Sequence, residues 1–408
     1  MLNVIPAKQS IEQLNFLTWP TFAADEKEKV AQVLSSGKVN YWTGEEGRNF
    51  EKEFAQFVGT NYAVALTNGT VALEAALAAL NIGPGDEVIT TSRTFIASAS
   101  CVIMRGAIPV FADVDSVSQN ITVNTIQKAL TPKTKAIIVV HLAGWPCDMP
   151  SIMDFAKKNN LFVIEDCAQA HGATIHNQPM GSWGDVAAFS FCQDKIITTG
   201  GEGGMVTTNN PDVWEKIWAL KDHGRSYDAV YHREHPPGHR WIYESFGTNW
   251  RMLEIQAAIG RLQLKKLAHW IKARQQNAAI LTQHFKNISA FRVTEPPENI
   301  QHAFYKYYVF VESEKLKSDW TRDRIMQTIN EKGVPCYSGI CSEIYLEKAF
   351  TQNGLVLETR LPVAKMLGET SLMFLVHPTL TDEHMMRTVE VVNEVMEMAS
   401  FSPGGVVG

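Results

Sequence analysis

The chain has 408 residues, 45% of them hydrophobic and 20% charged, and a net charge of −6. That length exceeds one compact core and suggests two domains, while the mildly acidic balance, without any lysine or arginine block, argues against nucleic acid as a partner. No window reaches the roughly 18 consecutive apolar residues of a membrane span, so no membrane role is expected.

The first residues, MLNVIPAKQS, have neither a basic nor an apolar leader pattern, and a cytoplasmic protein is expected. Residues 1–25 read as an N-terminal arm. From residue 60 to 210, short apolar runs alternate with helical patterns: YAVAL (62–66), EVITT (87–91), IPVFAD (108–113), KAIIVVHL (135–142), LFVIEDC (161–167), DVAAFSFC (185–192) and GGMVTT (203–208). Strands apolar throughout imply a sheet covered on both faces, hence α/β layering. TVALEAALAAL (70–80) reads as a helix closed by the turn Gly83-Pro84-Gly85-Asp86. A long helical pattern over roughly 252–285 places Leu253, Ala257, Ile259 or Gly260, Leu264 and Leu267 on one face. Beyond it, 305–313 reads as a strand and 319–332 and 382–398 as helices. This gives a large domain over 26–270 and a small C-terminal domain over 271–408. The six cysteines, at 101, 147, 167, 192, 336 and 341, form no C-x-x-C pair and no metal-like spacing, and most read as buried free thiols.

Three stretches carry chemistry. Lys195, in SFCQDKIITTGGEGG (190–204), is either a solvated strand-to-loop corner or a partly desolvated amine able to attack a carbonyl, with glycines that let backbone approach a bulky group. Asp166 ends an apolar strand in VIEDCAQAHG (163–172), where open α/β sheets place ligands. It could cap a helix, bind Mg²⁺ or pair with a protonated ring nitrogen. In LTNGTVALEAAL (66–77), Asn68-Gly69-Thr70 precedes a helix; it is a capped start or a phosphate site made of free N–H groups. It matches neither a Walker A loop nor G-x-G-x-x-G, which disfavours a nicotinamide oxidoreductase. A phosphate cradle, a strand-end Asp and, 29 residues on, a glycine-flanked lysine together match pyridoxal phosphate, which needs an acid at its ring nitrogen and a lysine for its aldehyde.

With these pieces, and GTNWRMLEIQAAIGRLQL (247–264), the chain resembles from about residue 15 to 400 the pyridoxal-phosphate-dependent nucleotide-sugar aminotransferases of the DegT type, with the aspartate aminotransferase fold. The resemblance implies a fold type I large domain, with a mostly parallel sheet between helices, and a smaller α+β domain. It implies that Lys195 holds the cofactor aldehyde and shuttles the proton, that Asp166 holds the ring nitrogen, and that Gln169 lies near the ring. Gly69, Thr70 and Ser190 would bind the phosphate. Phe95 would stack on the ring, a contact worth about 0.5–1.5 kcal/mol beyond area, with a core role as its alternative. Asn249 would reach the phosphate of a partner subunit, making a homodimer with shared active sites. His171 and His223 match histidines near the cofactor or dimer interface, or serve as structural hydrogen-bonding groups.

Where relatives carry H-x-P-L/I-H for substrate, this chain has GVPCYSGICSEIYLEKAF (333–350), and Tyr337, Ser338 and Glu343 could serve there. The segment 231–247 reads as a lid; its His232, His235 and His239 lack the context of a zinc site, and no metal is expected. The implied reaction is transfer of the amino group of L-glutamate, through the pyridoxamine phosphate form, to a nucleotide-linked 4-keto-6-deoxy sugar. The specific expectation is UDP-2-acetamido-4-keto-2,6-dideoxyhexose, giving a bacillosamine-type amino sugar for surface glycans. The alternatives are a dTDP- or GDP-linked 4-keto-6-deoxyhexose or a C3-keto sugar. A sugar dehydratase of the same fold tends to replace the lysine with histidine, and a regulatory protein would lose the cofactor set.

Overall fold

In a computed structural model, which describes residues 15–401, the seven apolar runs between 62 and 208 form one sheet. Its strands are β1 (Tyr62–Leu66), β2 (Glu87–Thr91), β3 (Ile108–Ala112), β4 (Thr134–Val140), β5 (Phe162–Asp166), β6 (Val186–Ser190) and β7 (Gly204–Thr208), in the order β1-β7-β6-β5-β4-β2-β3. β2 to β6 pair in parallel, and only β7 is reversed, pairing antiparallel with β1 and β6. Strand alternation feeds two cores at once. β4 sends Ile137 and Val139 to one face and Ala136 and Ile138 to the other. On the first face Phe50 and Phe54, from the helix Glu46–Val58, pack edge-on or tilted against Phe189 and Phe191. Each such buried ring contributes about 1.5–3 kcal/mol. On the second face lies the helix Gly69–Ala79, capped by Asn68, whose side chain accepts the Val71 N–H at 3.0 Å.

The C-terminal part builds an antiparallel sheet in the order Phe291–Arg292, Tyr307–Val311, Ser371–Phe374, Cys336–Tyr337. The helices Arg322–Glu331 and Asp382–Ala399 pack their apolar faces into its core. A three-stranded sheet of two-residue strands, Thr174–Ile175, Gln178–Pro179 and Ile300–Gln301, had no periodic signal to reveal it.

The helix Glu254–Phe285 serves both cores, with Ala257, Leu267 and Ile271 in the first and Ala278, Leu281 and Phe285 in the second. Leu253, expected on its buried face, is 48% exposed, because it is the N-cap and its N–H is taken by the Gln256 side chain at 2.9 Å. Gln263 is fully buried instead and accepts the Thr198 N–H at 2.8 Å. Of the expected arm, residues 1–14 lie outside the described residues. Cys192 is half-buried and Cys341 exposed; the other four cysteines are buried and none is paired. Among the described residues no helix is long and apolar enough to cross a membrane.

Glu165 is wholly buried, and its carboxylate ties β5 to the following turn. It accepts the N–H groups of Gly181 (2.9 Å), Trp183 (2.8 Å) and Gly184 (2.8 Å) and lies 3.1 Å from His141 Nε2. The Cys147 N–H donates to His141 Nδ1 at 3.0 Å, which leaves the imidazole proton on Nε2, facing Glu165. His141, Glu165 and Cys167 offer ligand atoms within 4.8 Å of one another, but this hydrogen-bond network already occupies the carboxylate and both ring nitrogens. Replacing Glu165 by Ala orphans three buried N–H groups. A loss of about 3–5 kcal/mol is expected, read from the shift of the urea denaturation curve.

Candidate active site

A cavity of about 1030 Å³ opens at the carboxyl ends of β5 and β6. Asp166 is the last residue of β5 and Ser190 the last of β6, and the N-terminus of the helix Gly69–Ala79 meets them there. That approach requires glycine: a Cβ on Gly69 would lie 2.6 Å from Ser190 Cβ, and one on Gly204 would lie 2.2 Å from the Asn68 carbonyl oxygen. Among the described residues the Gly69 and Thr70 N–H groups have no acceptor, whereas the Val71 and Ala72 N–H groups are bonded to Asn68. Two free N–H groups, the positive end of a helix and the Ser190 hydroxyl thus converge on one spot.

Asp166 is 6% exposed. It accepts the Ala168 N–H at 3.1 Å and the Ser98 hydroxyl at 2.7 Å, and Ser98 is in turn 2.9 Å from the Thr94 hydroxyl. No cation lies within ion-pair distance among the described residues. Gln169 accepts the Ala143 N–H at 2.7 Å and lines the cavity. Phe95 is 61% exposed at the cavity wall, which removes the core role as its alternative. Lys195 is half-buried, its ammonium 4.9 Å from the centre of the Tyr305 ring, and its carbonyl accepts the Trp19 indole N–H at 2.7 Å.

Of the sequence-predicted residues, Gly69, Thr70, Phe95, Asp166, Gln169, Ser190, Lys195 and Tyr337 line this cavity. Ser338, Glu343, His223 and Asn249 do not. The Ser338 carbonyl accepts the Ser371 hydroxyl at 2.7 Å. Glu343 is engaged by Arg360 and the Tyr345 hydroxyl. His223, with φ 61°, and the exposed Asn249 lie on the 222–251 segment, whose backbone closes on itself through the Asp222–Asn249 bridge. The 231–247 segment lies outside this cavity, with Trp241 82% exposed and Phe246 fully so. His171 is wholly buried between Phe189 and Phe191, and its ring nitrogens have no partner among the described residues.

Sequence reading missed Trp19, Ser98, Asp194, Arg274, Tyr305, Lys306 and His377, which also line the cavity. The glycines of TTGGEGG also differ in purpose from the expectation. Gly200 and Gly201 adopt φ of 86° and 124°, and Gly203 and Gly204 make room for Thr199 and Asn68, so the close approach is of protein to protein.

The residues present fit pyridoxal phosphate. The open N–H pair and Ser190 suit its phosphate, the buried Asp166 lacks the cation that a protonated ring nitrogen supplies, and Lys195 stands free of any carboxylate within ion-pair distance among the described residues. Fold and cavity define a pyridoxal-phosphate-dependent aminotransferase of fold type I. Residues 20–393 match the DegT/DnrJ/EryC1/StrS aminotransferase family, and the chain belongs to it. It is similar to the crystal structure of an aminotransferase from Psychrobacter cryohalolentis, with 55% identity and a TM-score of 0.93, covering 94% of this chain and 99% of that one. It is 35% identical to the GDP-perosamine synthase of Caulobacter vibrioides, over 92% of this chain and 97% of the relative. It is 36% identical to the UDP-N-acetyl-3-dehydro-alpha-D-glucosamine 3-aminotransferase of Acidithiobacillus ferrooxidans, over 88% and 90%.

Burial holds His171, His302 and His377 neutral, with pKa values pushed down to about 3; nearby cations, Arg274 among them, add to the effect at His171 and His377. Between that value and the ordinary one near 6.5, the unfolded chain binds protons that the folded chain refuses. Stability therefore falls as pH drops through 6.5, each histidine adding a slope that approaches about 1.4 kcal/mol per pH unit. His302→Phe should remove about a third of that slope in urea denaturation between pH 7 and pH 5.5.

Proposed function

We propose that this enzyme transfers the amino group of L-glutamate to the keto group of a nucleotide-linked 4-keto-6-deoxy sugar, with UDP-2-acetamido-4-keto-2,6-dideoxyhexose as the specific acceptor. The carrying observation is the cavity wall that joins the helix N-terminus at Gly69, Lys195 and Asp166, which has no cation within ion-pair distance among the described residues. The names of two relatives, one for a GDP-linked sugar and one for a UDP-N-acetyl sugar, support a nucleotide-linked acceptor.

Bound in this cavity, pyridoxal phosphate supplies an aldehyde that exchanges amines and a ring that accepts electrons from the neighbouring carbon. The chain's own groups do the rest. Gly69, Thr70 and Ser190 would anchor the phosphate through the two open N–H groups and the hydroxyl. Asp166, kept in place by Ser98 and the Ala168 N–H, would keep a proton on the ring nitrogen, which would lower the energy of charge developing at the reacting carbon. Lys195 would hold the aldehyde and, once its amine is free, would act as the base that takes the proton from the donor's carbon and gives it back to the cofactor's carbon. Phe95, exposed at the cavity wall, would cover one face of the ring. L-glutamate leaves as 2-oxoglutarate before the keto-sugar enters, so the kinetics are ping-pong. Asn249, outside its own cavity, completes the phosphate site of a second copy in a cytoplasmic homodimer.

The test is the visible spectrum of purified protein loaded with pyridoxal phosphate. L-glutamate should bleach the wild-type band within seconds, and Lys195→Ala should slow that conversion by at least about 10³-fold. The bleached form, offered UDP-, dTDP- and GDP-linked keto-sugars, should recover its colour fastest with the UDP-linked acetamido sugar. Recovery with none of them overturns the sugar reading. Asn249→Ala should weaken cofactor binding in equilibrium dialysis several-fold while the protein still sediments as a dimer.

A further inference from the structure

The cavity carries more positive charge than the cofactor's phosphate uses. The ammonium groups of Lys195 and Lys306 lie 4.9 Å and 4.8 Å from the centre of the same ring, that of Tyr305. The Tyr305 hydroxyl donates to Asp194, and Lys306 Nζ lies 3.9 Å from that carboxylate. Behind them Arg274, 1% exposed, donates to the carbonyls of Phe304 and Tyr305 at 3.4 Å and 3.2 Å and lies under the Trp19 ring at 5.3 Å. Its Nε and Nη2 have no partner among the described residues and are sealed from the cavity, so Arg274 raises the local potential without touching a ligand through them. Burial pulls the Lys306 ammonium down to about 8; Asp194 opposes the shift, and Arg274 and Lys195 add to it. Burial works against ionisation of Asp194, but Lys195, the Tyr305 hydroxyl and Lys306 together hold its carboxyl below the usual range.

Two facts of the reaction meet this geometry. One pocket must take an acidic amino donor and then a neutral keto group. A donor's α-carboxylate is one bond from the reacting carbon and its side-chain carboxylate three bonds away, whereas a nucleotide's diphosphate hangs on the far side of the sugar ring. A cation that shares one aromatic ring with the reactive lysine is therefore placed for a carboxylate and too close for a diphosphate. We propose that Lys306 receives a carboxylate of the amino donor, and that Asp194 is the resident counter-ion that neutralises Lys306 when the keto-sugar replaces the donor. The inference rests on the amino-transfer reading above and assigns the donor half of it to a residue. Lys306 is a specificity residue, and Tyr305 and Asp194 position it.

The experiment uses the cofactor-loaded full chain as wild type, Lys306→Met and Lys306→Arg. Half-saturation by L-glutamate is read from the single-turnover loss of visible absorbance, and half-saturation by the keto-sugar from its return. Maleate, a dicarboxylate with no amine to give, is titrated by calorimetry. In Lys306→Met the L-glutamate value should rise at least about tenfold and maleate binding weaken in step, with the keto-sugar value moving less than about threefold. Lys306→Arg should recover most of both. L-glutamine as donor tells which carboxylate is held: an unchanged value assigns the side-chain carboxylate and a raised one the α-carboxylate. An unchanged L-glutamate value, or an equal rise for the keto-sugar, overturns the proposal. Wild type that ignores L-glutamate counts against the amino-donor reading alone, since maleate binding still decides whether Lys306 holds a carboxylate.

Discussion

The last two residues of β5 are both buried acids, and the fold treats them in opposite ways. Successive side chains of a strand point to opposite faces, so Glu165 turns inward to three backbone N–H groups and His141, and Asp166 turns to the cavity. A buried carboxylate costs several kcal/mol unless it is paired, and Asp166 has only two hydrogen-bond donors and no cation within ion-pair distance among the described residues. The rest of the site depends on that asymmetry. The Glu165 network fixes where β5 ends, β6 lies beside it in parallel with Ser190 at its own end, and the helix from Gly69 is docked onto Ser190 at glycine-only distance. The groups suited to a ring nitrogen and a phosphate thus stand on rigid elements, and the pocket is preorganised around a charge that a ligand would bring.

Much of this was legible because its signals are local. Seven apolar runs bounded by turns became seven strands of the sheet, and the residues at strand ends and at the helix start came together because the chemistry of an open α/β sheet gathers there. What was not legible depends on contacts between distant segments. Nothing near Lys306 in sequence announces that Asp194, more than a hundred residues earlier, lies beside it, or that Trp19 covers Arg274. Glu343 reads as a candidate ligand from its own segment, yet Arg360 and Tyr345 have taken its oxygens. Leu253 shows a local limit of periodicity: the pattern placed it inward, yet as the N-cap of the long helix it is 48% exposed.

The two halves of the site also differ in how they are built. The residues proposed for the phosphate and the ring nitrogen stand at the ends of the central sheet and on the helix docked on it. Tyr337 and the 333–361 region come from the smaller sheet and its connections, where side chains meet across loops.

The helix Glu254–Phe285 runs 32 residues, about 48 Å, and its two ends are buried in different cores. A rod anchored so deeply at both ends does not bend cheaply, and it contains no proline at which to kink. Any swing of the smaller sheet against the larger one must therefore pivot about this rod, as a door turns on its post. The moving edge would be the one that carries Tyr337. Arg274, between the two buried ends of the post, would stay almost still while that edge sweeps across the cavity mouth. Lys306, just before the strand Tyr307–Val311 of the smaller sheet, would travel with that sheet, so a swing would change its distance from Lys195.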